Sequence, residues 1–368
     1  MTNDKTAQTL SDQNKLKQEY SKKEVQRAGE TLILEEIWDN DPDAFKLSMQ
    51  VLSNWRANHA NSLDQIAELL ENTSNKIDRK SIVVKRLKRT PSIVRKLRRF
   101  NKMKLRNMQD IAGCRAILST TKKVQKLRRE LNKNREFKVK DYIKKPKEDG
   151  YRGIHLVCKC KNSHNGNKYP VEIQLRSKVQ HSWATAVEIV DLFTKQALKS
   201  NEGQKDWLDF FKYISHEFSK IEGISNPTIK DSLEESQRLM KKLGVYKKFE
   251  AYASSLKIIE SHVKKEVEGY NLIQIDFNEK TVTVHSFPYD KFEVATEEYL
   301  KYEKDAAKSS GFVVALVSSN SIDNLKEAYP NYFADSALFV YNLRQIEESN
   351  RTKNISVLPK WLADTGLK

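Results

Sequence analysis

Residues 170–177, PVEIQLRS, alternate apolar and polar side chains, the pattern of a β-strand with one buried face. Successive side chains point to opposite faces, so Val171, Ile173 and Leu175 are expected in the core and Glu172, Gln174 and Arg176 together on the other side. That polar face is either wet surface or the floor of a site. Just upstream, GYRGIHLVCKC (150–160) reads as a second strand, and the intervening KNSHNGN contains Asn165-Gly166, a strong hairpin signal. The two strands are predicted to pair, with Tyr151 and His155 on one strand face and Glu172 on the partner strand.

Working outward, DIAGCRAIL (110–118) is a short apolar strand with Asp110 at its start, and VQKLRRELNK (124–133) a short helix. Strict alternation puts Asp110 and Arg115 on opposite faces, so lining one site together would require a bulge or twist at Gly113. The stretch from Lys76 to Arg106 carries one acid, Asp78, against a dense array of Lys and Arg. Within it Thr90-Pro91-Ser92 is a helix start, Ile93, Val94 and Leu97 face inward, and Lys96, Arg98 and Arg99 surround the rest. Arg86, Lys88, Ser92 and Lys96 thus gather cations and a hydroxyl at the entry to a helix, where free N–H groups and the helix dipole already favour phosphate. A solvated charged helix is the plainer reading of that run taken alone.

The flanks divide the chain. Helices are expected over 11–39 and from Asp41-Pro42-Asp43 onward, and again over 177–265; after Gly269 the period changes to that of strands, with NLIQIDF and TVTVHSF joined by a turn at 278–280. Three regions result: N-terminal helices (1–75), an α/β core with its C-terminal helices (76–268) and a small α/β domain (269–368). The fold class is α/β (α+β), a mixed sheet flanked by helices plus that smaller domain.

The 368 residues carry a formal net charge of +17, with 38% hydrophobic and 31% charged residues, which suits a globular protein with a polyanionic partner. Three cysteines without a CxxC pair point to neither disulfides nor zinc. The N-terminus has no signal-peptide core and no run suits a bilayer, so a cytoplasmic location without a membrane partner is expected.

A hard carboxylate at Asp110 can hold Mg²⁺ together with phosphate oxygens, and a second carboxylate at Glu172 can bind metal or accept a hydroxyl proton. Lys144, Lys145 and Lys147 lead to Tyr151, whose ring can stack on a base while cations hold phosphates. RLKRTPSIVRKL, QDIAGCRAI, DYIKKPKEDGYRGIH and VEIQLRSKVQHSWA, in that order, resemble the synthetase domain of the RelA/SpoT alarmone synthetases over roughly residues 76–195. The resemblance implies an ATP-dependent, Mg²⁺-requiring pyrophosphokinase. Arg86, Lys88, Ser92, Lys96 and Arg115 would hold ATP, Asp110 and Glu172 the metal, with Glu172 activating the hydroxyl; Tyr151, His155 and Gln174 would meet the acceptor. No His-Asp hydrolase pair precedes this region, so product breakdown is not expected.

VLSNWRANHANSL and LKSNEGQKDWLDFFKYISHEF on either side resemble toxic small alarmone synthetases, and the end of the chain, with Tyr329 and Tyr332, resembles the fused antitoxin of CapRel-type phage-defence proteins. That likeness implies an autoinhibited toxin that modifies the 3′-terminal adenosine of tRNA, with Tyr329 and Tyr332 covering the acceptor pocket until a phage protein binds. The alternatives are a (p)ppGpp synthetase acting on GTP/GDP and a non-catalytic RNA-binding protein. No DNA partner is expected.

Overall fold

The computed structural model describes residues 19–134, 136–194, 198, 203–224, 229–263, 269–276, 279, 281–306, 312–318 and 332–348. The fold is α/β, a mixed sheet flanked by helices with a smaller sheet toward the C-terminus. The chain divides into two compact units, Met1–Lys140 with Ile154–Leu175, and Asp141–Gly153 with Arg176–Lys368. No helix among the described residues is long and apolar enough to cross a membrane.

In the first unit, α1 (Lys22–Thr31), α2 (Ile37–Asn40), α3 (Pro42–Asn58) and α4 (Ala60–Ile77) come first. Of the single helix expected over 11–39, residues 11–18 lie outside the described residues; the rest is split, α1 ending at Thr31 and Glu36, with a left-handed backbone (φ 50°) that no continuous helix allows, preceding α2. The start expected at Asp41 is present: its side chain accepts from Ala44 N–H and Pro42 fills the first helical position. Then follow β1 (Ile82–Leu87), α5 (Thr90–Arg99), β2 (Ala112–Leu118), α6 (Thr121–Asn134), β3 (Lys138–Asp141), β4 (Ile154–Lys161) and β5 (Lys168–Ser177). The sheet order is β1-β2-β5-β4-β3.

The predicted hairpin forms, with β4 and β5 antiparallel from Ile154 opposite Leu175 to Lys161 opposite Lys168. Val171, Ile173 and Leu175 are fully buried, with Leu156, Cys158 and Cys160 of β4. Helix α4 packs against β1, β2 and β4; Ser62 Oγ donates to the Cys160 carbonyl at 3.0 Å and Lys85 pairs with Asp64. The hairpin tip is fastened to the α3–α4 junction by Asn162 Nδ2 donating to Asn58 O and Ser163 N donating to Asn61 Oδ1, both 2.8 Å. His59, between the Trp55 and Tyr169 rings, is wholly buried, and burial lowers its pKa to about 4. It is a neutral packing residue.

The second unit contains α7 (Lys178–Thr194), α8 (Lys205–Ile221), α9 (Ser232–Leu243), α10 (Val245–Val263), β6 (Gly269–Asp276), β7 (Thr281–Pro288), α11 (Phe292–Ala306), β8 (Phe312–Ser318) and α12 (Tyr332–Glu348). Its sheet has the order β7-β6-β8 with antiparallel pairs; of the turn predicted at 278–280, Glu279 alone lies among the described residues. Residues after 268 share one apolar cluster with the helices before it: Ile273, Ala315, Phe339 and Leu343 pack with Trp207, Phe210, Phe211, Phe218 and Phe249. The Phe339 ring lies 5.1 Å from Phe249 and 5.5 Å from Phe218, centroid to centroid, and Asp335 of α12 pairs with the buried His181 of α7 at 3.2 Å.

Two stability effects follow. A methyl on Gly29 of α1 would sit 2.6 Å from Leu105 Cβ, so Gly29→Ala should lower the melting temperature even though Ala favours a helix by about 1 kcal/mol; a higher one would show that α1 has room to shift. Phe339→Ala should cost about 3–5 kcal/mol in chemical denaturation, and an unchanged midpoint would mean that α12 is not part of this core.

Candidate active site

The polar face of β5 is built as a relay of hydrogen bonds in the first unit. In the β4–β5 ladder His155 stands opposite Gln174 and diagonal to Glu172, close enough for same-face side chains to meet. His155 Nδ1 lies 3.0 Å from Glu172 Oε1, and Gln174 Nε2 donates to Glu172 Oε2 at 3.0 Å. The Gln174 carbonyl in turn accepts from Arg115 Nε and Nη2, each at 3.3 Å. An ionised carboxylate has only acceptors, so Nδ1 carries the proton in the His155–Glu172 bond.

Asp110 reaches its place by another route. Because β2 begins at Ala112, Asp110 precedes the strand and strand alternation does not fix its side. The β1–β2 register runs unbroken from Ile82 opposite Ile117 to Leu87 opposite Ala112. Gly113 therefore makes no bulge, contrary to the expectation, and none is needed. Lys88, just past β1, is held by its N–H on Ile111 O at 2.6 Å and by Arg56 Nε donating to its carbonyl at 2.8 Å. Its ammonium lies 3.1 Å from Asp110 Oδ2, and Lys96, from the second turn of α5, lies 2.7 Å from the same oxygen.

Electrostatics keep both acids ionised. Burial pushes the Asp110 carboxyl up, but the charges of Lys88 and Lys96 and their hydrogen bonds outweigh it and hold the pKa below the usual value. Burial likewise opposes ionisation of Glu172, yet the His155 and Gln174 hydrogen bonds and the Lys96 charge bring it down to about 2. Lys96 is common to both carboxylates. It brings into one electrostatic environment two acids 62 positions apart in the chain, by subtraction of 110 from 172.

The donor set suits Mg²⁺. Asp110 Oδ1 is buried without a hydrogen-bond partner while Oδ2 takes both lysines. No group of three or more His, Cys, Asp or Glu side chains that could hold a metal occurs among the described residues. One or two hard carboxylates, with the other positions left to phosphate and water, is the usual Mg²⁺ arrangement.

Of the other predicted residues, Arg86 is exposed on β1 opposite Gly113, hence on the sheet face shared with Arg115. Ser92 is the third residue of α5, whose N-terminus has no side-chain cap. Tyr151 belongs to the second unit, where it is buried: its hydroxyl accepts from Arg176 Nε at 3.2 Å, and Lys147 and Arg176 lie 4.8 and 5.0 Å from its ring centre. Arg176, expected beside Glu172 and Gln174, is buried with it. Tyr329 and the Tyr332 side chain lie outside the described residues, although Tyr332 opens α12. Arg56 was not legible as a site residue, since nothing in a helix 32 residues earlier marks it as a support for Lys88.

The family described as "Region found in RelA / SpoT proteins" matches residues 85–191, and that stretch is of the RelA/SpoT type. Two proteins of Bacillus subtilis (strain 168), GTP pyrophosphokinase YjbM and GTP pyrophosphokinase YwaC, are each 36% identical over 110 residues, covering 28% and 27% of this chain. The chain spans about half, 52%, of the length of each. The structure of small alarmone synthetase 1 from Bacillus subtilis bound to its product pppGpp aligns over 46% of this chain and 92% of that one, at 23% identity and a TM-score of 0.40.

Removing His155 tests the electrostatics without any substrate. In His155→Ala, burial would no longer be offset by that hydrogen bond, so the Glu172 carboxyl should titrate well above 2 in a ¹³C NMR titration. A value still near 2 would show that His155 does not hold it down.

Proposed function

We propose that this chain is a Mg²⁺-dependent pyrophosphokinase, transferring the β,γ-pyrophosphate of ATP to a ribose 3′-hydroxyl. The observation that carries the reading is the pair of ionised carboxylates, Asp110 and Glu172, both held down by the Lys96 charge, with Lys88 bonded to Asp110 and Arg115 to Gln174 beside them. In this scheme the acceptor oxygen bonds to the β-phosphorus as the bond from that phosphorus to the α–β bridging oxygen breaks, and AMP leaves. Arg86, Lys88, Lys96 and Arg115 hold the triphosphate, with Ser92 and the open N–H groups at the start of α5 adding neutral donors. Phosphate drawing Lys88 and Lys96 toward itself frees Asp110 Oδ2, so that Asp110 and Glu172 together would hold Mg²⁺. The bound ion would offset negative charge growing on the phosphate oxygens.

Glu172, held near 2 in the free protein, is a weak base but a strong acceptor. Its role is to hold the hydroxyl in line and take its proton as the O–P bond forms. His155 and Gln174 keep the carboxylate aimed, and the acceptor meets the same sheet face.

The acceptor in this reading is the 3′-terminal adenosine of tRNA, supported by a net charge of +17, far more than a mononucleotide requires. Modification there would block aminoacylation and translation, in keeping with a fused, self-restrained toxin of anti-phage defence. A second reading, transfer to GTP or GDP, is favoured by the names of the two Bacillus relatives, both GTP pyrophosphokinases. Under the toxin reading the segments after 268 restrain the enzyme and a phage protein releases it. Because Phe339 is bedded in the α8–α10 core, release would proceed by rearrangement rather than by loss of that segment.

The test is incubation of the full chain, or a version released from restraint, with γ-³²P-ATP, Mg²⁺ and either deacylated tRNA or GTP. Label on tRNA, absent when the tRNA is periodate-oxidised at its 3′ end, supports the first reading, and label on GTP alone supports the second. Glu172→Gln should cut transfer by about a thousandfold. Transfer to neither acceptor by a released chain, or full transfer by folded Glu172→Gln, would contradict the proposal.

A further inference from the structure

We infer that Arg56, in the last turn of α3, is a positioning residue for the donor triphosphate: it pins the main chain at Lys88 and so fixes where that ammonium meets phosphate. The inference rests on the reading of Lys88 as a triphosphate ligand, and it extends the site to a helix that precedes the stretch matched by the RelA/SpoT family.

Lys88 lies between the last β1–β2 pair, Leu87 opposite Ala112, and the start of α5 at Thr90. Arg89, the N-cap of α5, makes no side-chain capping bond, so the local device that commonly sets the entry to a helix is not used here. Both backbone polar groups of Lys88 are tied to distant residues. Its N–H donates to Ile111 O at 2.6 Å, and its carbonyl accepts from Arg56 Nε at 2.8 Å. The first bond extends the β ladder, while the second reaches the turn from outside the sheet. With the main chain held on both sides, the Lys88 ammonium is delivered 3.1 Å from Asp110 Oδ2.

Arg56 can fix Lys88 only if α3 is itself fixed, and the α3–α4 corner is. Asn58 O accepts from Asn162 Nδ2 at 2.8 Å, and His59 Nδ1 lies 2.7 Å from Trp55 O. The Trp55 and His59 rings stand 5.4 and 4.7 Å from the Tyr169 ring, centroid to centroid. Tyr169 is in β5, the strand that carries Glu172. The corner therefore ties the turn that presents Lys88 to the strand that presents Glu172, and the two keep one spacing. This gives VLSNWRANHANSL (51–63) a chemical role.

The bond is made by Nε, so the role requires an N–H at that point of the side chain more than a positive charge. Glutamine places an amide N–H at the same distance along its side chain, and methionine a methyl group. A guanidinium that touched phosphate directly would show the opposite preference, with lysine the better substitute.

The probe is inorganic tripolyphosphate, titrated calorimetrically into the full chain, with hydrogen exchange at residues 86–92 followed in the same proteins. Arg56→Met should weaken tripolyphosphate binding by about tenfold and speed exchange at 86–92, whereas Arg56→Gln should stay within about threefold of the unsubstituted chain. In the transfer assay the loss in Arg56→Met should appear in KM for ATP, with kcat little changed. Ser62→Ala, which removes the bond from α4 to Cys160 O and none of those made by Lys88, controls for general loss of stability and should leave tripolyphosphate affinity unchanged. Should Arg56→Met fail to fold, Arg56→Gln compared with Arg56→Lys carries the test. Unweakened binding by folded Arg56→Met, a loss in Arg56→Gln that Arg56→Lys restores, or no binding by the unsubstituted chain would each overturn the inference. The expected binding pattern in a chain that transfers pyrophosphate to neither acceptor would uphold the positioning role and sink only the proposed reaction.

Discussion

The site depends on keeping two carboxylates charged where burial would neutralise them. Removing an ion from water is costly unless charge and hydrogen bonds offset the loss, and here the offset is local: two ammonium groups on one oxygen of Asp110, and a histidine, an amide and a shared lysine around Glu172. Lys96 serves both acids, and the position of α5 is therefore a constraint on the whole site. Moving α5 would take Lys96 from Asp110 and remove a smaller, through-space contribution from Glu172.

Much of the first unit can be understood as support for that arrangement. The β4–β5 hairpin carries Glu172, Gln174 and His155, and its tip is tied to the α3–α4 junction. One residue of α3, Arg56, holds the Lys88 carbonyl, while the β1–β2 ladder continues to the Lys88–Ile111 bond and so delivers Lys88 beside Asp110. Sites on strands anchored in this way keep their geometry better than sites on free loops.

The sequence pattern made the β4–β5 hairpin readable because side-chain alternation and Asn-Gly chemistry agree there. It also revealed the start of α3, where Asp41 caps, and the cationic entry to α5, where Pro91 marks the first turn, since these signals act locally. β1 was not legible: IVVKRL has no clean period, and its strand state comes from pairing with β2. The Asp110–Arg115 conflict arose from assuming that the strand starts at Asp110, whereas it starts two residues later. Tyr151 shows the other limit, for an aromatic ending a basic loop looks like a stacking platform in sequence, and only long-range packing reveals Arg176 and Trp183 around it. No local pattern reports which ammonium a carboxylate will meet across more than 60 residues of chain, such as Lys96 and Glu172.

The most direct test of shared electrostatics is a ¹³C carboxyl titration of the free protein with and without Lys96→Met. If one ammonium stabilises both acids, the Asp110 and Glu172 carboxyls should both shift upward in the variant, Asp110 by more, since it is the one in direct contact. A Glu172 titration unmoved by losing Lys96, with Asp110 alone shifting, would contradict the account, for the two carboxylates would then occupy separate environments.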